Sequence, residues 1–230
     1  MPLIEVDDVT LTVGRGPARR NALDAVSVRL DEQRIGIVGA NGSGKSSFAR
    51  LLNGLVLPTS GRVRVDGLDT RSDGREIRRR VGFCFTDPDA QIVMPTVAED
   101  VAFGLGRAGL PRDEVDARVA RALTDLGLAH LADSPAHTLS GGEKQLLALC
   151  SVLVTEPRLL VLDEPTTLLD LRNAARIAAV VRDLPQQVVL VTHQLDLLDG
   201  YDRVLVFDEG RLVTDDEPRA AVAAYRELMA

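Results

Sequence analysis

Short apolar runs near the start of the chain show the alternation that is typical of β-strands. Residues 3–6, 9–13 and 26–30 have this pattern, and the turn-forming cluster at 14–18 lies between them. Residues 35–38 differ because they are continuously apolar, as expected of a strand buried on both faces. The first part of the chain is therefore predicted to be rich in strands.

Helical spacing begins directly after this buried run. Residues 46–55 are predicted to form a helix that ends before Pro58, and a strand follows at 62–65. The middle of the chain is helical in pattern, most clearly at 113–126 and 143–153. This middle section reads as an insertion between two strand-containing parts.

Short buried strands return in the last third of the chain. They are predicted at residues 159–162, 188–191, 204–207 and 211–214. A helix at 171–184 separates the first two, and Glu217 and Pro218 open a last helix. Strand, helix and strand on both sides of a helical insertion predict an α/β core with a helical subdomain.

Composition and charge narrow the class of protein. Of the 230 residues, 45 % are hydrophobic and 27 % charged, and the net charge of −7 argues against nucleic-acid binding. No apolar run approaches the ~20 residues of a membrane span, so membrane contact is expected through a protein partner. The first residues lack a signal-peptide pattern, which predicts a cytoplasmic location. Cys84 and Cys150 lie in apolar surroundings and are expected to be buried, reduced thiols.

Residues 39–46 fit the pattern G-x-x-x-x-G-K-[ST] between a buried strand and a helix. Backbone N–H groups of such a loop, with the helix N-terminus, point at phosphate oxygens. Lys45 is expected to reach the β- and γ-phosphates, and the Ser46 hydroxyl to ligate Mg²⁺. The predicted ATP-binding residues are Gly39, Ala40, Asn41, Gly42, Ser43, Gly44, Lys45, Ser46 and Ser47.

Two acidic residues end the apolar run that begins at residue 159. A buried strand brings its last residues to the carboxyl edge of a parallel sheet, where such folds bind ligands. Asp163 is predicted to hold Mg²⁺, directly or through water, and Glu164 to polarise the attacking water. An acidic pair after a strand is common, but it is informative when a phosphate loop precedes it.

A third motif, Leu-Ser-Gly-Gly-Glu-Lys-Gln at residues 139–145, opens the helix before the acidic pair. Ser140 is predicted to cap this helix, and a capping box explains Ser140 and Glu143 but leaves Gly141 and Gly142 without a reason. Here the whole chain resembles the ATP-binding cassette (ABC) family. The resemblance implies a P-loop NTPase core with an antiparallel β subdomain (1–88 and 157–230) and an inserted helical subdomain (about 89–156), forming one ATP-binding domain.

The resemblance also implies roles for single residues and for a second chain. In this family two chains enclose two ATP molecules head to tail, so Ser140, Gly141 and Gly142 would face the partner's nucleotide. His193 matches the histidine that contacts the γ-phosphate and joins Glu164 as a predicted catalytic residue. Asp170 matches an acidic loop at the dimer interface, although it is equally suited to cap the following helix.

Two positions depart from the family pattern. No aromatic residue lies near Val13 to stack on adenine, so loose discrimination between nucleobases is expected. Thr86 stands where the lid loop normally carries a glutamine, and Gln91 comes later. We expect Thr86, or Asp87 as a metal ligand through water, to take over this role.

The segment around Asp87–Gln91, followed by Thr-Val-Ala-Glu-Asp-Val-Ala-Phe-Gly at 96–104, is similar to energy-coupling-factor (ECF) importers of vitamins and metal ions. Within that group, residues 162–173 most resemble the ATPases of biotin importers. The resemblance implies a transmembrane coupling protein that presents arginines, with Asp89, Glu99 and Asp100 suited to meet them, although each is equally suited to a solvated face. A substrate-binding membrane subunit would be an indirect partner, and the location would be the cytoplasmic face of the membrane.

Two other interpretations remain open at this point. The chain could be a soluble ABC protein of DNA repair, translation or cluster assembly, but such proteins usually carry coiled-coil insertions, paired cassettes or basic faces. It could also be a regulatory cassette that binds ATP and barely hydrolyses it, which the substitution at Thr86 leaves open.

Overall fold

The computed structural model describes residues 1–106 and 108–230 and divides them into two compact units. The first unit contains Met1–Val81, Arg158–Asp163 and Gln186–Ala230, and the second contains Gly82–Pro157 and Glu164–Pro185. The sequence predicted a core of residues 1–88 and 157–230, which included 164–185. The structure instead places 164–185 in the second unit. Contacts within the second unit account for the difference, since the Arg176 guanidinium donates a 3.0 Å hydrogen bond to the Leu126 carbonyl.

The strands and helices follow the predicted order. The strands are β1 (Ile4–Val13), β2 (Arg20–Leu30), β3 (Arg34–Gly39), β4 (Ser60–Val65), β5 (Leu68–Asp69), β6 (Val81–Cys84), β7 (Leu159–Asp163), β8 (Gln187–Val191), β9 (Arg203–Asp208) and β10 (Arg211–Asp216). The helices are α1 (Lys45–Leu52), α2 (Gly74–Arg80), α3 (Val97–Leu105), α4 (Arg112–Asp125), α5 (Gly141–Leu153), α6 (Leu171–Asp183) and α7 (Pro218–Leu228). The sequence did not predict α2, β5 or β6.

An antiparallel sheet forms one part of the first unit, with strand order β2-β1-β4-β5. The two strands expected between residues 3 and 13 form one continuous strand. The pairing register with β2 shifts between Val6 and Val9, so the polar Asp8 lies in a bulge of that strand. Asp8 has a left-handed φ of 46° there. A bulge of this kind breaks the apolar alternation while it keeps the strand paired.

The second sheet of the first unit carries β7, β8, β3, β9 and β10 side by side. Strands β3, β7, β8 and β9 are parallel, and β10 pairs antiparallel with β9. Every residue of β7 and β8 is buried, as their apolar runs at 159–162 and 188–191 predict, and the polar Asp163 and Gln187 at the strand ends are buried with them. The carboxyl ends of β3 and β7 carry Gly39 and Asp163, so this sheet positions the phosphate loop and the first acidic residue.

Helices α3, α4, α5 and α6 belong to the second unit, where capping boxes begin two of them. Thr96 and Glu99 form the box of α3, and Ser140 and Glu143 form that of α5. In the first unit, α1 ends at Leu52, three positions before the predicted end. Gly54 follows in a left-handed conformation (φ 69°) that ends the helix. No helix among residues 1–106 and 108–230 is both long and apolar enough to cross a membrane.

Candidate active site

The loop between β3 and α1 depends on three glycines with positive φ. Gly39, Gly42 and Gly44 have φ of 153°, 82° and 104°, conformations that favour glycine. A Cβ on Gly39 would collide with the Phe207 carbonyl and one on Gly44 with the Ala22 carbonyl, whereas one on Gly42 would meet no atom within 4 Å. The loop is therefore packed at both ends and open at its centre.

Lys45 and Ser43 are the buried polar side chains of this loop. The Lys45 ammonium donates 2.8 Å hydrogen bonds to the carbonyls of Gly39 and Ala40. The Ser43 hydroxyl is buried and has no hydrogen-bond partner among the described residues. Since a buried orphan hydroxyl and an open glycine backbone both accommodate an anionic ligand, the loop fits the phosphates of ATP.

A cavity of about 110 Å³ lies against the loop within the first unit. Its lining residues are Arg20, Ala22, Gly42, Gly44, Lys45, Ser46 and Ser47. Five of these are among the residues predicted to bind ATP, but Arg20 and Ala22 of β2 were missed. The approach of Arg20 to the phosphate loop depends on tertiary packing, which the sequence pattern does not encode. Its positive charge is the one signal in the sequence that could have suggested a position near phosphate.

Ser46 and Asp163, which were each predicted to hold Mg²⁺, meet at the mouth of this loop. The Ser46 hydroxyl donates a 2.8 Å hydrogen bond to Oδ1 of Asp163, whose side chain is 1 % exposed. The Arg50 guanidinium lies 3.5 Å from Oδ2. A hydroxyl and a single carboxylate fit Mg²⁺, which commonly completes its shell with substrate phosphates and water. These two side chains would hold the metal.

Glu164 and His193 come from different units. Glu164 begins the segment 164–185 of the second unit, with a left-handed φ of 55°, and its carboxylate accepts a 2.6 Å hydrogen bond from the Thr167 hydroxyl. Non-glycine residues with such φ values cluster at active sites. His193 is exposed in the first unit, directly after the buried Thr192 that follows β8.

Residues 139–145 begin helix α5 with a capping box. The Ser140 amide and hydroxyl donate to Oε2 of Glu143 at 2.8 and 2.6 Å, and the Glu143 amide donates back to the hydroxyl at 3.4 Å. Hydrogen bonds from the Ser140 hydroxyl and then its amide hold the pKa of Glu143 below its usual value. A Cβ on Gly142 would collide with the Asn173 side chain, whereas one on Gly141 would find its nearest atom, on Leu169, at 3.9 Å. Packing thus explains Gly142, which the capping box did not, and leaves Gly141 without a packing reason.

Asp170 caps α6, which was one of its two predicted roles. Its carboxylate accepts hydrogen bonds from the Asn173 amide at 2.9 Å and from the Asn173 side chain at 2.8 Å. Those bonds, backbone first, lower the pKa of Asp170. Because Asn173 also packs on Gly142, it links Asp170 to the motif at 139–145 within the second unit.

The residues predicted to replace the lid glutamine lie in the second unit. Asp87 accepts a 3.0 Å hydrogen bond from the Asp89 amide and so caps a short 3₁₀ helix, Pro88–Ala90. Thr86 immediately precedes it and is partly buried. The side chain of Asp87 is accordingly held at the start of this turn.

The three acidic residues assigned to a partner's arginines have different surroundings. Asp89 is exposed and pairs with the Lys144 ammonium at 2.8 Å, and Glu99 is exposed within the capping box of α3. Asp100 is 3 % exposed and accepts from the amides of Val93 and Met94 and from the Ser151 hydroxyl. The prediction was wrong for Asp100, because its carboxylate satisfies buried donors of its own unit.

Comparisons with known proteins agree with this architecture. The family model for the ABC transporter matches residues 23–167. A putative ABC transporter ATP-binding protein of Deinococcus radiodurans is 56 % identical over 210 residues, covering 91 % of this chain and 93 % of the relative. The biotin transport ATP-binding protein BioM of Rhizobium etli is 50 % identical over 211 residues, covering 92 % and 94 %.

A solved structure gives the same result for the fold. CbiO1 of Clostridium perfringens, described as part of the ABC transporter complex CbiONQ, superposes with a TM-score of 0.83 and 33 % identity over 98 % of this chain and 92 % of that chain. The phosphate loop, the acidic strand end and the capped helix at 139–145 are thus parts of one known architecture. The chain belongs to the ABC transporter family, and it is an ATPase of that family.

Proposed function

We propose that this chain is the ATP-hydrolysing, energy-coupling subunit of an ECF-type importer, with a vitamin, biotin first, as the transported substrate. The observation that carries the ATPase chemistry is the 2.8 Å contact between Ser46 and Asp163 beside the open centre of the phosphate loop. The 50 % identity to a biotin transport ATP-binding protein supports the choice of substrate. Uptake of a metal ion is the second candidate, supported by the ECF-like segment at 87–104.

The first unit would bind the nucleotide. Backbone N–H groups of Gly42, Gly44 and Lys45, with the Lys45 ammonium, stabilise negative charge on the transferred phosphoryl group. To do so, Lys45 exchanges its bonds to the Gly39 and Ala40 carbonyls for phosphate oxygens. Ser46 and Asp163 hold Mg²⁺, which neutralises charge on the phosphates when it is bound.

The attacking water would be positioned by Glu164 as general base and by His193 at the γ-phosphate. The short bond from Thr167 fixes one oxygen of the Glu164 carboxylate and thereby orients the other. Thr86 or Asp87 contributes the contact that a lid glutamine makes elsewhere in the family. Asp87 would act through a water molecule, and the hydrogen bond from the Asp89 amide to its Oδ1 would hold the carboxylate in place.

A second copy of the chain would complete each site. Gly141 supports this part of the proposal, because its side is open and the packing of α5 does not require a glycine there. Leu168 and Leu171, on either side of Asp170, are 66 % and 91 % exposed, which suits burial against a partner chain. ATP would favour the closed pair by mass action, and hydrolysis would release it.

The membrane partner would be a transmembrane coupling protein, at the cytoplasmic face. Asp89 and Glu99 are exposed acidic residues, and Phe103 in α3 is 62 % exposed. An arginine of the partner would compete with Lys144 for Asp89 and would meet Glu99 beside its capping contacts. The substrate-binding membrane subunit would be reached only through this coupling protein.

The test has two parts. The tagged chain is purified from membranes of cells that also express its candidate membrane subunits, and uptake of labelled biotin by the same cells is measured. We expect a complex with a membrane protein, ATP-dependent uptake, and loss of uptake in Glu164→Gln. Recovery of an active ATPase without any membrane protein would favour a soluble ABC protein. A membrane complex without phosphate release would favour a regulatory cassette, and a complex that transports a divalent cation instead would replace biotin as substrate.

A further inference from the structure

The segment at residues 85–91, here named the lid turn, is tied to helix α5 at three points within the second unit. The Gln145 side-chain amide donates to the Phe85 carbonyl at 3.5 Å, and the Gln91 side-chain amide donates to the Ala148 carbonyl at 3.0 Å. The Lys144 ammonium binds both carboxylate oxygens of Asp89 at 2.8 and 3.1 Å. Contacts therefore run in both directions between the lid turn and α5.

The peptide groups of Phe85 are held on both sides by these glutamines. Its N–H donates to Oε1 of Gln91 at 3.2 Å, and its carbonyl accepts from Gln145. Gln145 is 2 % exposed, and a buried amide that makes such bonds is costly to misplace.

The Phe85 peptide lies between α5 and the two residues that we propose to act in catalysis. Thr86 and Asp87 directly follow Phe85, and α5 begins with Gly141 next to its cap Ser140. A helix is stiff over its length, so a shift at the Ser140 end moves Gln145 and Ala148 with it. The two glutamines then carry that shift to the residues that follow Phe85.

We propose that Gln91 and Gln145 are positioning residues for ATP hydrolysis, which together hold the Phe85 peptide on α5 and keep Thr86 and Asp87 in a constant relation to Ser140–Gly142. Neither glutamine touches the nucleotide in this role. The proposal rests on the proposed function of Thr86 and Asp87, and its test is designed to separate the two.

Gln91→Met and Gln145→Met remove the amide bonds while they retain an unbranched side chain of similar size. We expect each to lower kcat by about tenfold, because small misplacements of catalytic groups are costly. The KM for ATP should stay within about twofold, since the phosphate loop is unchanged. The Mg²⁺ concentration for half-maximal activity should rise. Because both glutamines hold one peptide, the double variant should lose little more than either single variant.

Val119→Ala is the control for simple destabilisation of the same unit, since this buried residue of α4 lies outside the lid turn and α5. It should lower the Tm and leave kcat and the Mg²⁺ dependence unchanged. The proposal is overturned if both Met variants keep the parent kcat, or if they lower Tm and kcat no more than Val119→Ala does.

Thr86→Ala and Asp87→Ala separate this inference from the proposed function. If they lower kcat while both Met variants do not, the positioning role fails and the lid residues keep their function. If they leave kcat intact while the Met variants lower it in the expected non-additive way, the glutamines position another group and the proposed role of Thr86 and Asp87 fails.

Discussion

The Ser46 hydroxyl donates a 2.8 Å hydrogen bond to Oδ1 of Asp163, although the two residues are 117 positions apart in the chain. Strands β3 and β7 both end at the carboxyl edge of one parallel sheet, with β8 between them. That edge brings the hydroxyl and the carboxylate together. The proposed Mg²⁺ site would therefore need little rearrangement to bind the metal.

Asp163→Asn should abolish most of the Mg²⁺-dependent activity. The amide still accepts a hydrogen bond from Ser46, so the fold is retained, but it cannot supply the negative charge that a divalent cation requires. We expect kcat to fall at least about 100-fold, because the metal contributes several kcal/mol of charge stabilisation. Phosphate release at saturating Mg-ATP and Mn²⁺ binding in the presence of ATP measure this. Asp208→Asn, at the end of β9 in the same sheet, is the matched control and should behave as the parent.

Glu164→Gln should retain ATP and stabilise the closed pair of chains. Loss of a general base costs about 10²- to 10⁴-fold in kcat. The variant should therefore elute as an ATP-loaded dimer at saturating Mg-ATP, as measured by light scattering and nucleotide content. Glu209→Gln is the control, since Glu209 is also a glutamate with left-handed φ, at 44° compared with 55° for Glu164. A Glu164→Gln variant that stays monomeric with saturating Mg-ATP would contradict the two-chain mechanism.

The sequence was sufficient to select those candidate residues whose surroundings are set by neighbouring positions. Lys45 and Ser46 sit in a loop whose glycine spacing determines its conformation, and the capping box of Ser140 and Glu143 spans only four positions. Arg20 and Asp100 could not be placed in this way. The approach of Arg20 to the phosphate loop and the burial of Asp100 under residues 93 and 94 both depend on tertiary packing. The acidic pair at 99 and 100 looked like one charged surface, although helical spacing turns adjacent residues toward different sides.

Asp100→Ala should destabilise the protein, whereas Glu99→Ala should affect it less. Removal of the Asp100 carboxylate leaves the amides of Val93 and Met94 and the Ser151 hydroxyl without their acceptor. The expected loss is about 3 kcal/mol in the free energy of unfolding. Loss of the Glu99 side of the capping box costs about 1 kcal/mol. Urea unfolding followed by circular dichroism measures both, and equal losses would contradict the buried role of Asp100.

The two buried thiols should make stability fall in alkaline solution. Burial raises the pKa of Cys84 and of Cys150 from 9.0 to about 12, and the charges of Asp125 and Asp100 add to the shift at Cys150. Because the pKa of each thiol is higher in the folded than in the unfolded state, the protonated thiols stabilise the fold. This contribution is complete below pH 9.0 and is lost as the pH rises toward about 12. The free energy of unfolding should decline over this window. The double variant Cys84→Ala/Cys150→Ala should decline less steeply, and equal slopes would contradict the shifted pKa values.

Arg20→Ala should weaken nucleotide binding without changing the chemical step. Arg20 lines the cavity beside the phosphate loop, where its positive charge favours a triphosphate. We expect the KM to rise about fivefold, equivalent to about 1 kcal/mol, while kcat is retained. The rise should be the same for ATP and GTP, and the parent should use GTP within about tenfold of ATP, because no aromatic residue near Val13 selects adenine. Steady-state kinetics with both nucleotides measures this, with Arg19→Ala as the control, since Arg19 does not line the cavity. A rise confined to ATP would mean that Arg20 recognises the base instead of the phosphates, and an unchanged KM would remove it from the site.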